Sequence, residues 1–247
     1  MLGALRLSLS LTATLIVLGA ASPSTENPAA LNALPQVIGI PLFELIEPGD
    51  TLLDIAVKNA VGFEALVRLN PAVDVWIPLP GTVVRIPSQA LLPEIALEGL
   101  VINIPEMRLF DFTIEGSPFL FAAAVGDPDD PTPRGVFQIR DKRIDPIWYV
   151  PKSIREEKPD LPDQIPAGPA NPLGSRWMRI GWTSYGIHGT NSRWSIGRES
   201  TPGCVRLYER DIQELFARTP EGTPLQIVYQ PYKWGRDASQ ILFEAHP

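Results

Sequence analysis

The spacing of apolar and polar residues divides this chain into stretches of different character. Positions 7–18 form an apolar run relieved only by Ser and Thr, short of the ~20 residues that a bilayer-spanning helix needs. From position 43 the pattern predicts a short strand over 43–47, a turn at Pro48-Gly49-Asp50, and a helix over 51–57 with Asp50 as its N-cap. A second helix follows over 63–69, with Phe63, Leu66 and Val67 on one face. Pro80-Gly81 makes another turn, and 82–86 reads as a closing strand. After position 97 the period shortens to that of strands, over 100–104, 107–114, 119–125, 135–139, 185–188, 204–207 and 225–229, with further strand at Ile180. One helix interrupts them, over 208–218, with Ile212, Leu215 and Phe216 at core spacing. The expected fold is therefore mainly β. A β-sandwich or barrel-like domain over 97–229, with one or two short helices, follows a small βααβ module over 43–87. Residues 22–42 read as a linker and 230–247 as a C-terminal extension.

Composition sharpens this outline. Proline occurs 27 times in 247 residues, about twice its usual share, which favours strands and loops over long helices. Seven of those prolines fall in 145–175. They predict a stretch without regular elements, of a length that in compact domains is usually functional, here a lid. The net charge of −7, with no basic stretch, excludes nucleic acid as a partner. Arg6 followed by the apolar run and by Gly19, Ala20 and Ala21 has the form of an export signal cleaved before Ser22. A retained membrane anchor also fits that segment, and either places the protein outside the cytoplasm.

The candidate chemistry lies in Ile187-His188-Gly189-Thr190-Asn191 and in Ser200-Thr201-Pro202-Gly203-Cys204-Val205-Arg206. Cys204 is the only cysteine, so no internal disulfide is possible, and its position rules out lipid attachment at a signal. A lone exported thiol is a liability unless it is buried or used as a nucleophile. Of the two histidines, His246 is the penultimate residue, where chain ends commonly fray, which leaves His188 as the base. Sixteen residues separate it from Cys204, enough for a loop to bring two neighbouring strands together. Gly203 lets the backbone bend and turn N–H groups toward an oxyanion. Arg206, two residues on, shares a strand face with Cys204, where it could lower the thiol pKa or hold a substrate carboxylate. One cysteine and two histidines offer no zinc constellation, so no metal or other cofactor is expected.

Two family resemblances rest on these motifs. Ile46-Glu47-Pro48-Gly49-Asp50-Thr51-Leu52, Leu69-Asn70-Pro71 and Pro80-Gly81-Thr82-Val83-Val84-Arg85-Ile86-Pro87 resemble a LysM module. That likeness implies binding to N-acetylglucosamine-containing glycan strands of peptidoglycan; a mere spacer domain is the alternative. The stretch from Val101 to Tyr229 resembles an L,D-transpeptidase catalytic domain of the YkuD type. It carries the strand-end His188-Gly189, Thr201-Pro202-Gly203-Cys204-Val205-Arg206, Thr132-Pro133-Arg134-Gly135-Val136-Phe137, Pro146-Ile147-Trp148, 166–174 and Ile196-Gly197-Arg198 in the family order.

The second resemblance implies a Cys204 nucleophile, His188 as general base oriented by the Gly189 carbonyl, and Gly203 at the oxyanion. Arg206, Asn191 and Tyr185 would bind substrate. The substrate would be a peptidoglycan stem tetrapeptide, with a second stem peptide, an outer-membrane lipoprotein or water as acceptor, in the periplasm and associated with the wall. Pro202 departs from the pattern, because the family has histidine there. A wall-binding protein with a decayed site, an L,D-carboxypeptidase and a cysteine peptidase or amidase of another fold therefore stay open.

Overall fold

The computed structural model describes residues 16–17, 37–95, 98–114, 118–237 and 240–246. The expected export signal lies outside them apart from Ile16–Val17, which runs antiparallel to Leu242 and Phe243. The first unit is βααβ, as its sequence pattern predicts: β1 (Leu42–Leu45), α1 (Leu52–Asn59), α2 (Phe63–Leu69) and β2 (Val83–Ile86). β1 and β2 pair antiparallel, with Leu42 opposite Ile86. Ile46, Leu52, Ile55, Leu66 and Val84 fill its interior. The N-cap of α1 is Thr51, not Asp50. Thr51 Oγ1 accepts the Asp54 N–H at 3.1 Å, and the Asp54 carboxylate accepts the Thr51 N–H at 3.2 Å. That reciprocal pair satisfies two N–H groups that the helix leaves unbonded. Asp50 instead accepts the Glu47 N–H at 2.9 Å and closes the preceding turn.

The second unit is a closed sheet. Its strands are β3 (Leu100–Asn103), β4 (Arg108–Asp111), β5 (Phe119–Gly126), β6 (Gly135–Ile144), β7 (Arg176–Ile180), β8 (Gly186–His188), β9 (Glu199–Thr201), β10 (Val205–Leu207) and β11 (Pro224–Val228). Around the barrel the order is β5-β10-β8-β7-β6-β11-β3-β4 and back to β5, with β9 lying parallel to the end of β5. Closure gives each of the eight strands in the ring a neighbour on both sides. Alternate residues point inward, as strand geometry requires. Leu100, Ile102, Leu109, Phe121, Ala123, Val125, Ile139, Met178, Ile180 and Ile187 form the core with Val205, Leu207, Leu225 and Ile227. One helix, α4 (Glu209–Arg218), contributes Ile212 and Leu215 to the same core.

Two further expectations are corrected. The proline-rich stretch is not devoid of regular structure. Trp148–Tyr149 pairs with Gln164–Ile165, and α3 (Lys152–Glu157) lies between them. Pro151 immediately precedes α3, where its missing N–H costs the helix nothing. The C-terminal stretch is not frayed either: β12 (Tyr232–Asp237) and β13 (Gln240–Ala245) form a hairpin, and His246 is buried.

A buried charge cluster explains why that hairpin holds. Lys233 Nζ, fully buried, donates to both Glu106 oxygens at 2.8 Å and to the Leu91 carbonyl at 2.6 Å. Arg108 Nη1 and His246 Nε2 both reach Glu244 Oε1, at 3.1 and 2.9 Å. Burial alone would raise the Glu244 carboxyl pKa; the His246 bond and the Lys233 and Arg108 charges outweigh it and hold the pKa below its usual range. Two carboxylates thus face one Lys and one Arg, and the hairpin, the β3–β4 turn and the connection between the units are fastened together. Lys233→Met strands the buried Glu106 carboxylate without its main partner. It should lower the unfolding free energy by about 3–5 kcal/mol, read as a fall in the urea midpoint; a midpoint matching the parent's would show that the cluster does not fasten the hairpin.

Candidate active site

The site forms where β8 and β10 run side by side in parallel. Their register sets Ile187 opposite Val205 and His188 opposite Arg206. Cys204 immediately precedes β10. Because side chains alternate along a strand, Cys204 and Arg206 share one face with Gly186 and His188, while Ile187 and Val205 point into the core.

The His188 ring is buried, and its Nδ1 lies 2.6 Å from the Gly189 carbonyl oxygen. A carbonyl can only accept, so Nδ1 carries the proton and Nε2 is left as the basic nitrogen. Burial, followed by the adjacent Arg206 charge, lowers the His188 pKa from 6.5 to about 3; backbone bonding to Gly189 and Leu173 offsets only part of this. The ring is therefore neutral at physiological pH. Trp177, directly opposite on β7, stacks on it with centroids 5.5 Å apart and planes at 24°.

The Cys204 sulfur is mostly enclosed. Burial pushes its thiol above the ordinary 9.0, while the Gly186 backbone and the Arg206 charge pull it partway back. The imidazole thus bonds to the Gly189 backbone, and no hydrogen bond joins it to the sulfur among the described residues. The turn that presents Cys204 is built tightly. Gly203 has φ +84°, and a Cβ there would come within 2.4 Å of the Tyr185 ring, so both backbone conformation and space require glycine. Thr132 Oγ1 donates to the Gly203 carbonyl at 3.1 Å and accepts the Gly126 N–H at 2.8 Å. Thr201 Oγ1 donates to the Cys204 carbonyl at 2.5 Å.

Cys204, His188, Gly189, Gly203 and Arg206 are thus brought together. Tyr185 packs against Gly203 and the barrel core. Asn191 is exposed, and its amide donates to the Ala170 carbonyl at 3.1 Å, tying the strand end to the proline-rich segment. Pro202 is exposed two residues before Cys204. Arg206 Nε is buried without a hydrogen-bond partner among the described residues.

Four contributors escape a reading of the sequence. Trp177 reaches His188 only through cross-strand register, and Thr132 reaches Gly203 only through the folded β5 end. Glu209 lies against Gly174 and Gly189, where added Cβ atoms would meet its Oε2 at 2.3 and 2.2 Å. Asn171 is fully buried; its amide donates to the Pro146, Ile165 and Pro166 carbonyls at 2.7, 3.3 and 3.2 Å, and its Oδ1 accepts the Leu173 N–H at 2.9 Å. Thr132 and Asn171 both fall in motifs quoted for the family resemblance, but neither motif reveals these contacts.

The model of the YkuD L,D-transpeptidase catalytic domain matches residues 98–227. The probable L,D-transpeptidase YcfS of Escherichia coli (strain K12) is 36% identical over 246 residues, covering 92% of this chain and 76% of the relative. The probable L,D-transpeptidase ErfK/SrfK of Salmonella typhimurium is 34% identical over 211 residues, covering 81% of this chain and 67% of that one. Among solved structures, the catalytic domain of an E. faecium L,D-transpeptidase aligns with TM-score 0.42 and 22% identity, over 55% of this chain and 100% of that one. With the family model across the barrel and relatives alike over most of its length, this chain belongs to the L,D-transpeptidases of the YkuD type.

Proposed function

We propose that the chain transfers peptidoglycan stem peptides through a thioester on Cys204, outside the cytoplasm, where such peptides occur. The observation that carries this reading is a neutral, carbonyl-oriented imidazole on the strand adjoining the only thiol. Arg206 is cationic and shares their face. It opposes formation of imidazolium and favours thiolate. The resting pair is therefore thiol and neutral imidazole, with the proton moving as the sulfur attacks.

In the first step the Cys204 sulfur bonds to the carbonyl carbon of the third stem residue, and its proton passes to His188 Nε2. A turn of the Cys204 side chain away from Gly186, or one bridging water, closes the path to the ring. Backbone N–H groups at Gly203 and Cys204 meet the oxyanion. The bond to the fourth residue breaks, and its amine leaves with the proton from His188. An acceptor amine then attacks the thioester, gives its proton to His188 and restores the sulfhydryl. The partnerless Arg206 Nε offers a donor to a stem carboxylate. The βααβ unit, with its LysM-like motifs, is assigned to glycan binding. Water as acceptor would make the same site an L,D-carboxypeptidase.

Full chain incubated with disaccharide tetrapeptide should release the terminal D-amino acid and yield cross-linked dimer. Cys204→Ala should lower both by at least about 10³-fold, and mass spectrometry should place a carbapenem adduct on Cys204 alone. Neither dimer nor adduct from folded wild-type protein, with sacculus binding intact, would favour the wall-binding alternative. Restoring the family histidine through Pro202→His then shows whether chemistry was retuned.

The titration directions give a second expectation. Carbapenem acylation should climb with pH through the thiol range above 9.0 and show no acid inflection near 6.5. Arg206→Gln removes a cation that attracts the thiolate and repels imidazolium, so the thiol limb should move to higher pH and the imidazole pKa should rise. A wild-type profile hinging at 6.5 would contradict the buried neutral base.

A further inference from the structure

A glycan tether needs only a flexible connection to its enzyme, and the βααβ unit has no such freedom here. The connection after β2 is pinned over residues 87–91. Arg108 donates to the Pro87 and Gln89 carbonyls at 2.9 and 3.2 Å, the Leu91 N–H donates to Glu244 at 2.7 Å, and Ala90–Leu91 pairs with Val37–Ile38.

The unit also touches the barrel at a chemically informative place, the segment joining His188 to Cys204. On its inner side that segment bonds to β5: the Gly197 N–H donates to the Ala123 carbonyl at 3.0 Å, and the Val125 N–H donates to the Arg198 carbonyl at 3.1 Å. On its outer side it meets the start of α2. The Phe63 N–H donates to the Ile196 carbonyl at 3.3 Å, and the Arg198 guanidinium lies 4.4 Å over the Phe63 ring. The two backbones approach so closely that a Cβ on Gly197, where φ is +80°, would fall 2.3 Å from Gly62 Cα. Beyond β10, Tyr208 Oη donates to the Val61 carbonyl at 3.0 Å. Val57 and Ala60 of the unit pack on Ala122, Ala124, Ile196 and Tyr208. Small alanines on the outer face of β5 make this seat flat enough for backbone to meet backbone.

We propose that the βααβ unit braces the segment between base and nucleophile, with Gly62, Phe63, Gly197, Arg198 and Tyr208 as positioning residues for Cys204. The brace sets the rate toward every acyl donor, including fragments too short to occupy a glycan site. In its kinetic readout this rests on the transpeptidase reading above; in its thiol readout it does not.

The test uses the full chain carrying Arg198→Gln with Tyr208→Phe, which removes the ring contact and the Val61 bond while leaving both hydrophobic cores filled. Arg198→Lys with Tyr208→Phe returns a cation to the Phe63 ring. Gly197→Ala is a harsher variant, used if circular dichroism shows it folded. With soluble disaccharide tetrapeptide the Gln variant should lose about 10-fold or more in kcat while KM moves less than about 2-fold. Alkylation of Cys204 by iodoacetamide should become several-fold faster as the enclosed sulfur is released, sacculus binding should hold, and the Lys variant should recover most of both rates. Unchanged kcat and alkylation, with any loss confined to intact sacculi, would reduce the unit to a tether and overturn the proposal. If wild-type protein forms neither dimer nor carbapenem adduct, the transpeptidase reading fails, and the alkylation rates alone decide the brace: faster in the Gln variant supports it, equal rates sink it.

Discussion

Everything at this site depends on one parallel pairing, that of β8 with β10. Parallel neighbours cannot be joined by a tight hairpin, so the chain must leave the sheet after His188 and return before Cys204. The excursion has the length to add β9 to the end of β5 and to meet the first unit. The register of the pair then fixes which residues share a face, and a slip of one position would turn His188 into the core and Ile187 outward. Closure of the sheet makes such a slip costly, because β8 is also locked to β7 and β10 to β5.

The electrostatics follow from the same placement. An imidazole and a thiol are both enclosed against a cation, and enclosure disfavours the charged form of each. Arg206 adds a sign to that penalty, favouring negative sulfur over positive nitrogen. The thiol–imidazole pair therefore begins uncharged beside the guanidinium. The Gly189 carbonyl selects the tautomer without the second negative charge that a carboxylate would bring.

Much of this was legible in the chain. The βααβ order, most of the barrel strands, the final helix and the residues around His188 and Cys204 follow from local period and motif, because strand alternation and glycine turns are local properties. What the sequence could not convey was partnership across distance. Nothing near Trp177 announces that it will cover the imidazole, and nothing near Lys233 announces a carboxylate partner at Glu106. His246 illustrates the general difficulty: position near a chain end suggests fraying, and a buried carboxylate at Glu244 reverses it. The N-cap of α1 failed for a subtler reason, since Asp50 and Thr51 are both good caps and only the side chain of Asp54 chooses between them.

The arrangement around Asn171 separates two duties within the proline-rich excursion. One buried amide gathers the Pro146, Ile165 and Pro166 carbonyls at its base, so the root is held together while α3 lies farther out, on the exposed side. The same amide fixes Leu173, whose backbone N–H it accepts at 2.9 Å, and so ties the root to the stretch that leads back into β7. The Asn171 amide thus stands as a mechanical break in the chain, with an outlying tip on one side of it and the segment leading to Leu173 on the other.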